Sequence, residues 1–277
     1  MDSLVSTQWL AEHLGEADLV VVDSSWHMPA TGRNGREEYS QAHVPGARFL
    51  DIDALSDRSS AAPHMLPSAE QFAAAMEALG VGREDRIVVY DNSPLRTAAR
   101  GWFMLRHFGA QRVAILDGGF QKWTAEGRPT ESGEPAQRQA RFDAEPRRDE
   151  IVTKQHILDG SHDPLLDARG AARFEGTEPD PRPGVEPGHI RGARNLPFAA
   201  LYKEDGTFRP PDELKRLFAA SQIDPARPFV ATCGSGVTAN SLIFAAHRLG
   251  GRHGKLYDGS WSEWGADPAT PKAKGPA

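Results

Sequence analysis

The chain has one cysteine, no long apolar run and no basic stretch, and each shortage removes a class of protein. With Cys233 as its single thiol, no intrachain disulfide can form. That excludes a disulfide-stapled secreted scaffold and makes a reducing, cytoplasmic setting the expected one. No segment approaches the ~20 apolar residues of a membrane-spanning helix. The opening Met1-Asp2-Ser3-Leu4-Val5-Ser6 has neither the basic nor the apolar region of a secretory signal. Lys and Arg number 32 against 38 Asp and Glu, a formal net charge of −6, with no concentrated basic patch. Neither nucleic acid nor an anionic membrane is therefore expected as a partner. The ten histidines form no ligand-spaced group with the lone thiol, so no metal is expected, and no cofactor.

What remains is 39% apolar and 25% charged residues over 277 positions, enough apolar material for two ordinary cores. The cysteine heads the run Cys233-Gly234-Ser235-Gly236-Val237-Thr238-Ala239. The apolar Pro228-Phe229-Val230-Ala231-Thr232 before it reads as a strand, and the apolar stretch from Asn240 to Leu249 after it reads as a helix. A thiol at such a turn faces the unpaired N–H groups and the positive end of the helix dipole, which favours the thiolate. Two glycines within the turn let the backbone curl with its amides inward, as an anion-binding nest does. An isolated cysteine in an apolar surrounding is ordinarily a buried packing residue. The strand–Cys–Gly–x–Gly–helix context turns the reading toward a nucleophile.

The chain is also written twice. Asp23 in Leu19-Val20-Val21-Val22-Asp23 returns 144 residues later as Asp167, and His43-Val44-Pro45-Gly46-Ala47 returns as His189-Ile190-Arg191-Gly192-Ala193 at 146. Asp91, after Ile87-Val88-Val89-Tyr90, returns as Cys233 at 142. Leu116-Asp117-Gly118-Gly119 returns as Tyr257-Asp258-Gly259-Ser260 at 141. So slow a drift across matched landmarks marks a tandem duplication.

Within the first copy, apolar periodicity predicts helices over 5–13, 68–79 and 97–108 and strands over 19–22, 86–90 and 113–116. Ser68 and Gln71 have the spacing of a capping box. Alternating strands and helices imply, in each copy, a mostly parallel sheet with helices on both faces, an α/β fold. The expected domains are 1–130 and 151–277. A linker over 131–150 joins them, containing the aperiodic Glu131-Ser132-Gly133-Glu134-Pro135. The Pro-, Ala- and Lys-rich tail from Ala266 is expected to fray.

With these features the chain resembles the tandem-domain rhodanese family across nearly its whole length. The two His-x-x-Gly-Ala boxes, the Asp-Gly-containing ending of each domain and the cysteine loop of the second domain carry the resemblance. The loop Cys-Gly-Ser-Gly-Val-Thr-Ala is similar to the 3-mercaptopyruvate sulfurtransferase branch, whereas thiosulfate-preferring members place basic side chains directly after the cysteine. The resemblance implies transfer of sulfur from 3-mercaptopyruvate, through a persulfide on Cys233, to cyanide, a small thiol or a reduced thioredoxin-like protein, with release of pyruvate. Asp91 occupies the cysteine position of the first domain; a carboxylate is a poor sulfur carrier, so that copy is expected to be silent.

The resemblance further implies that Arg173 and Arg182, nine residues apart, hold the substrate carboxylate and keto group, for which arginine's two-pronged geometry suits. The loop residues Gly234, Gly236, Val237 and Thr238 would supply backbone amides to the persulfide anion. Ser235, His64 and Asp53 match the family's proton-relay triad, Asp orienting His and His exchanging a proton with the hydroxyl. Taken alone, the arginines read as solvated loop residues, His64 as a loop histidine and Asp53 as a turn former. His43 and His189 recur in both copies, cysteine or not, and are expected to be structural. A cysteine phosphatase would need an arginine at the position of Ala239. Two nearer rivals are a thiosulfate:cyanide sulfurtransferase, which the neutral loop disfavours, and a non-catalytic sulfur carrier or binding module, against which the intact cysteine loop and the paired arginines argue.

Overall fold

The computed structural model describes residues 1–160 and 163–277. The chain forms two compact units. The first comprises Met1–Ser56, Pro67–Arg147 and Lys203–Phe208; the second comprises Asp57–Leu66, Arg148–Tyr202 and Arg209–Ala277. Each unit thus includes one short segment from the opposite half of the sequence.

In the first unit the elements run β1 (Leu4–Val5), α1 (Thr7–His13), β2 (Leu19–Asp23), α2 (Gly35–Gln41), β3 (Arg48–Phe49), α3 (Ile52–Leu55), α4 (Ala69–Leu79), β4 (Arg86–Tyr90), α5 (Ala98–His107), β5 (Arg112–Leu116) and α6 (Gly119–Ala125). The sheet order is β1-β5-β4-β2-β3, with every pairing parallel. The central β2 and β4 are runs of Val and Ile whose side chains are buried, as a strand covered on both faces requires. The capping box is present: Ser68 Oγ accepts the Gln71 N–H and the Gln71 side chain accepts the Ser68 N–H. Residues 4 and 5, which border the first predicted helix and at Val5 fall inside it, instead form β1, because they hydrogen-bond to the β5 edge. The aperiodic segment after Glu131 lies along this unit: Glu131 pairs with His43, Arg138 makes two hydrogen bonds to Asp85, and Phe142 is buried against Phe72.

The second unit repeats the pattern: β6 (Ile151–Val152), α7 (Lys154–Leu158), β7 (Leu165–Asp167), α8 (Ala171–Glu175), β8 (His189–Ile190), β9 (Arg194–Asn195), α9 (Pro211–Ala220), β10 (Phe229–Thr232), α10 (Ala239–Arg248), β11 (Gly254–Tyr257), α11 (Ser260–Trp264) and β12 (Lys272–Ala273). Its parallel sheet, β6-β11-β10-β7-β9, has the same order strand for strand. Helix α10 is buried from Ala239 through Ala246, so both sheet and helix hold the turn between them firmly. The tail does not fray. β12 pairs antiparallel with β8, Thr270 donates its hydroxyl to Trp264 O, and Trp264 Nε1 donates to Pro271 O. Burying the Trp264 ring, worth roughly 1.5–3 kcal/mol for a large apolar side chain, anchors a stretch whose composition alone argues for disorder.

His43 and His189 have the same surroundings in their units. His43 stacks on Tyr39 and His189 on Phe174, and the Nδ1 of each bonds a carbonyl of that same aromatic residue. The recurrence is structural, as expected from a residue common to both copies.

Candidate active site

Cys233 closes β10 and leads into α10, with its side chain buried. The turn that carries it is fixed from outside by Ser260. The Ser260 Oγ accepts the N–H groups of Cys233 and Gly236, each at 3.1 Å, and donates to Tyr257 O at 2.8 Å. In that position Ser260 adopts a left-handed backbone, φ +50°, unusual for a residue with a Cβ. The Cys233 carbonyl accepts from Trp261 N–H and the Gly234 carbonyl from Ser262 N–H. Asn240 Nδ2 donates to the carbonyls of Gly236 and Val237. Glycine is required at 236: φ is +74°, and a Cβ there would stand 2.6 Å from Asp258 O. The outer rim of the turn is thus fully engaged. Among the described residues, the amides of Gly234, Ser235, Val237 and Thr238 donate to no protein group, whereas that of Gly236, expected in the same set, is taken by Ser260.

The first unit shows what such amides are suited to. There the equivalent residue is Asp91, and its carboxylate accepts the N–H groups of Ser93 and Ala98, both at 2.8 Å. Burial raises the Asp91 carboxyl above its ordinary range, against the pull of those two hydrogen bonds. Where Ser260 stands in the second unit, the first has Gly119 at φ +59°. One copy therefore fills its anion cradle with its own carboxylate, and the other leaves it open beside a thiol.

Arg173, in α8, and Arg182 come together at Gly234. A Cβ on Gly234 would lie 2.9 Å from Arg182 Nη2 and 3.6 Å from Arg173 Nη2. Between them sits Asp180, its side chain only 1% exposed. Its carboxylate accepts from Arg173 Nη2 at 2.6 Å and from Arg182 Nε and Nη2 at 2.8 and 3.0 Å. Arg182 Nη1 also donates to the Gly234 carbonyl, so this guanidinium braces the cysteine turn itself. Burial pushes the Asp180 carboxyl up, but the hydrogen bond and charge of Arg182, aided by Arg173, outweigh it and hold the group below its ordinary range.

His64 belongs to this unit, on the segment Asp57–Leu66. Its Nδ1 lies 2.8 Å from Ser235 Oγ, its ring is buried, and its φ is +62°. The segment is held by the Leu66 N–H, which donates to Asp258 Oδ2 at 2.6 Å. The first unit has the matching bond, Phe208 N–H to Asp117 Oδ1 at 2.8 Å, but the counterpart of His64 is Gly206, beside the Arg96 guanidinium. Asp53 lies in the first unit on α3, where its carboxylate accepts the Trp26 indole N–H at 2.8 Å.

The second unit therefore brings together Cys233, Ser235, His64, Arg173, Arg182 and the loop residues 234–238. Sequence reasoning missed Asp180, Ser260, Asp258 and Asn240. Two of these carried a signal: Asp180 sits between the paired arginines, and Ser260 is the one position in its Asp-Gly box where the copies exchange glycine for a hydroxyl.

Both halves of the chain are similar to known proteins. The rhodanese-like domain model matches residues 6–126 and 152–267. The 3-mercaptopyruvate sulfurtransferase of Mus musculus is 43% identical, over 95% of this chain and 91% of its own. The thiosulfate sulfurtransferase of Cricetulus griseus is 40% identical, over 95% and 91%. Among solved structures, SseA of Escherichia coli, described as a 3-mercaptopyruvate sulfotransferase, superposes with a TM-score of 0.86 at 38% identity, covering 95% of this chain and 100% of that one. The same fold in both halves and the extent of these matches place the chain in the rhodanese family, as a tandem pair of rhodanese-like domains.

Proposed function

We propose that this protein is a 3-mercaptopyruvate sulfurtransferase that carries the sulfur as a persulfide on Cys233. The observation that carries the reading is the pairing of an open amide cradle at Cys233 with two guanidiniums beside Gly234. In the first half-reaction the Cys233 thiolate attacks the donor sulfur. The C–S bond breaks with its electron pair going to carbon, which leaves as the enolate of pyruvate. The proton from the donor thiol ends on that carbon, giving pyruvate and Cys233–S–S⁻. In the second half-reaction a thiophile such as cyanide, a small thiol or a reduced thioredoxin-like protein attacks the outer sulfur and regenerates the thiolate. This is nucleophilic catalysis with covalent storage.

The residues support distinct duties in that cycle. Amides of Gly234, Ser235, Val237 and Thr238 are oriented before the anion forms, so they stabilise it without reorganising. Arg173, bound to Asp180 through Nη2, retains Nη1 for the substrate carboxylate or keto oxygen. Ser235, hydrogen-bonded to His64, provides the route by which a proton leaves the donor thiol and reaches the enolate carbon.

A thiosulfate:cyanide sulfurtransferase is the second reading, and the relative named thiosulfate sulfurtransferase is nearly as similar as the mercaptopyruvate one. The turn favours mercaptopyruvate. Residues 234 and 235 add no positive charge, and a basic side chain at 234 would have to displace the Arg182 guanidinium from above the α-carbon. A single thiol that must remain reduced suits a reducing compartment, which we propose as the working location. Steady-state sulfur transfer to cyanide from the two donors tests the assignment: mercaptopyruvate should lead by at least tenfold in kcat/KM, about 1.4 kcal/mol. A lead for thiosulfate would replace it.

A further inference from the structure

We infer that Asp180 sets the charge of the donor site and thereby selects monoanionic over dianionic sulfur donors. This rests on the proposed sulfur-transfer chemistry at Cys233 and adds the residue that decides which donors enter. The carboxylate is the shared partner of both substrate-facing guanidiniums, is nearly sealed from water, and takes three side-chain N–H groups plus the Arg182 backbone N–H at 3.0 Å. A carboxylate so placed stays ionised, in line with its lowered pKa.

The charges then sum simply. Two guanidiniums contribute +2 and Asp180 −1, so this cluster presents +1 to the donor beside the cysteine turn. A net +1 neutralises the single carboxylate of mercaptopyruvate. Thiosulfate brings −2, so its second charge would go uncompensated in a partly desolvated place, where a mismatch is costly. Geometry points the same way. Asp180 holds the guanidiniums at a fixed separation above Gly234, with Arg182 committed to Asp180 and the Gly234 carbonyl and Arg173 less fully engaged. One planar carboxylate fits that remaining donor face. Asp180 is a positioning residue and touches no reacting atom, yet it sets the specificity of the site through charge.

The test measures kcat/KM for mercaptopyruvate and for thiosulfate, with cyanide as acceptor and ionic strength fixed, in the wild type, Asp180→Asn and Asp180→Glu. Asp180→Asn raises the site to +2 while keeping an oxygen between the arginines. It should increase the thiosulfate-to-mercaptopyruvate ratio at least tenfold, mainly through a lower KM for thiosulfate. Asp180→Glu keeps the charge and disturbs the geometry, so rates should fall for both donors while the ratio stays within threefold of wild type. A shift below tenfold in Asp180→Asn, or a shift in Asp180→Glu as large as in Asp180→Asn, would overturn the inference. Should Asp180→Asn fail to fold, inhibition of the wild type decides. Pyruvate should compete with mercaptopyruvate at lower concentration than sulfate does, and stronger inhibition by sulfate would refute the +1 site. The donor assignment itself is read separately, from the wild-type preference alone.

Discussion

Replacing Ser260 separates two opposing terms whose sizes follow from the structure. The hydroxyl accepts two buried amides, those of Cys233 and Gly236. Leaving a buried donor without a partner costs about 1–3 kcal/mol each. Against this, the left-handed backbone at φ +50° costs a residue with a Cβ about 1–2 kcal/mol, and glycine is spared it. Ser260→Ala loses both hydrogen bonds and keeps the strain, for a loss of about 2–6 kcal/mol. Ser260→Gly, which copies Gly119 of the first unit, loses the bonds but sheds the strain and should be destabilised by about 1–2 kcal/mol less than Ser260→Ala, a loss of at most about 5 kcal/mol. Denaturant midpoints should therefore rank wild type above Ser260→Gly above Ser260→Ala. Both variants should form persulfide more slowly, because the turn that aims the amides has lost its outer anchor. A Ser260→Ala protein as stable as Ser260→Gly would refute the strain argument. A Ser260→Gly protein as stable and as fast as wild type would refute the anchoring argument.

Arg173→Gln should raise the KM for mercaptopyruvate by roughly 10- to 150-fold, the value of a charged hydrogen bond of about 1.5–3 kcal/mol, with little change in kcat. Arg182→Gln should lower kcat as well, because the Gly234 carbonyl loses its brace; identical kinetic profiles for the two variants would contradict their unequal bonding. His64→Gln and Ser235→Ala should each slow mercaptopyruvate turnover by about 10²- to 10⁴-fold, and the double variant should be little slower than either, since the two act through one hydrogen bond. Additive losses in the double variant would argue against a shared relay. In the first unit, burial raises the Asp23 carboxyl to about 7 despite hydrogen bonds from Ser25. The protonated form is thus favoured in the fold, its stabilising contribution being complete below the unfolded carboxylate range near pH 4 and lost as pH rises through 7. Asp23→Asn should accordingly gain stability relative to wild type between about pH 4 and 7, by about 4 kcal/mol at most, and level off above. A pH-independent difference between the two proteins would rule this out.

Much of the fold could be read in advance because local sequence and tertiary packing agree. β4 has the bounds its Ile-Val-Val run predicts, and α4 begins at the Ser68 cap. The duplication was legible from Asp, His and Gly landmarks because equivalent turns need equivalent residues. The two-residue strands β1, β3, β6, β8, β9 and β12 were not legible, since nothing in so short a segment distinguishes a strand from a loop until a partner edge is supplied. The tail failed for the same reason: its order comes from Trp264 and β8, not from its own composition. At the site, Cys233 and its turn stood out by residue type and context, whereas the arginines, solvated loop residues when taken alone, stood out only through the family resemblance. Ser260 and Asp180 left only a faint mark, a hydroxyl in place of glycine and a carboxylate between two arginines, because their roles arise from a positive φ and from contacts that only the folded turn creates.

The central claim is that Cys233 stores the transferred sulfur, and intact-protein mass after incubation with mercaptopyruvate, without acceptor, tests it most directly. One sulfur, ~32 Da, should be gained by the wild type, map to the peptide containing Cys233, and disappear on adding cyanide. The same gain in Cys233→Ser, or no gain in a wild type that turns over, would contradict the account.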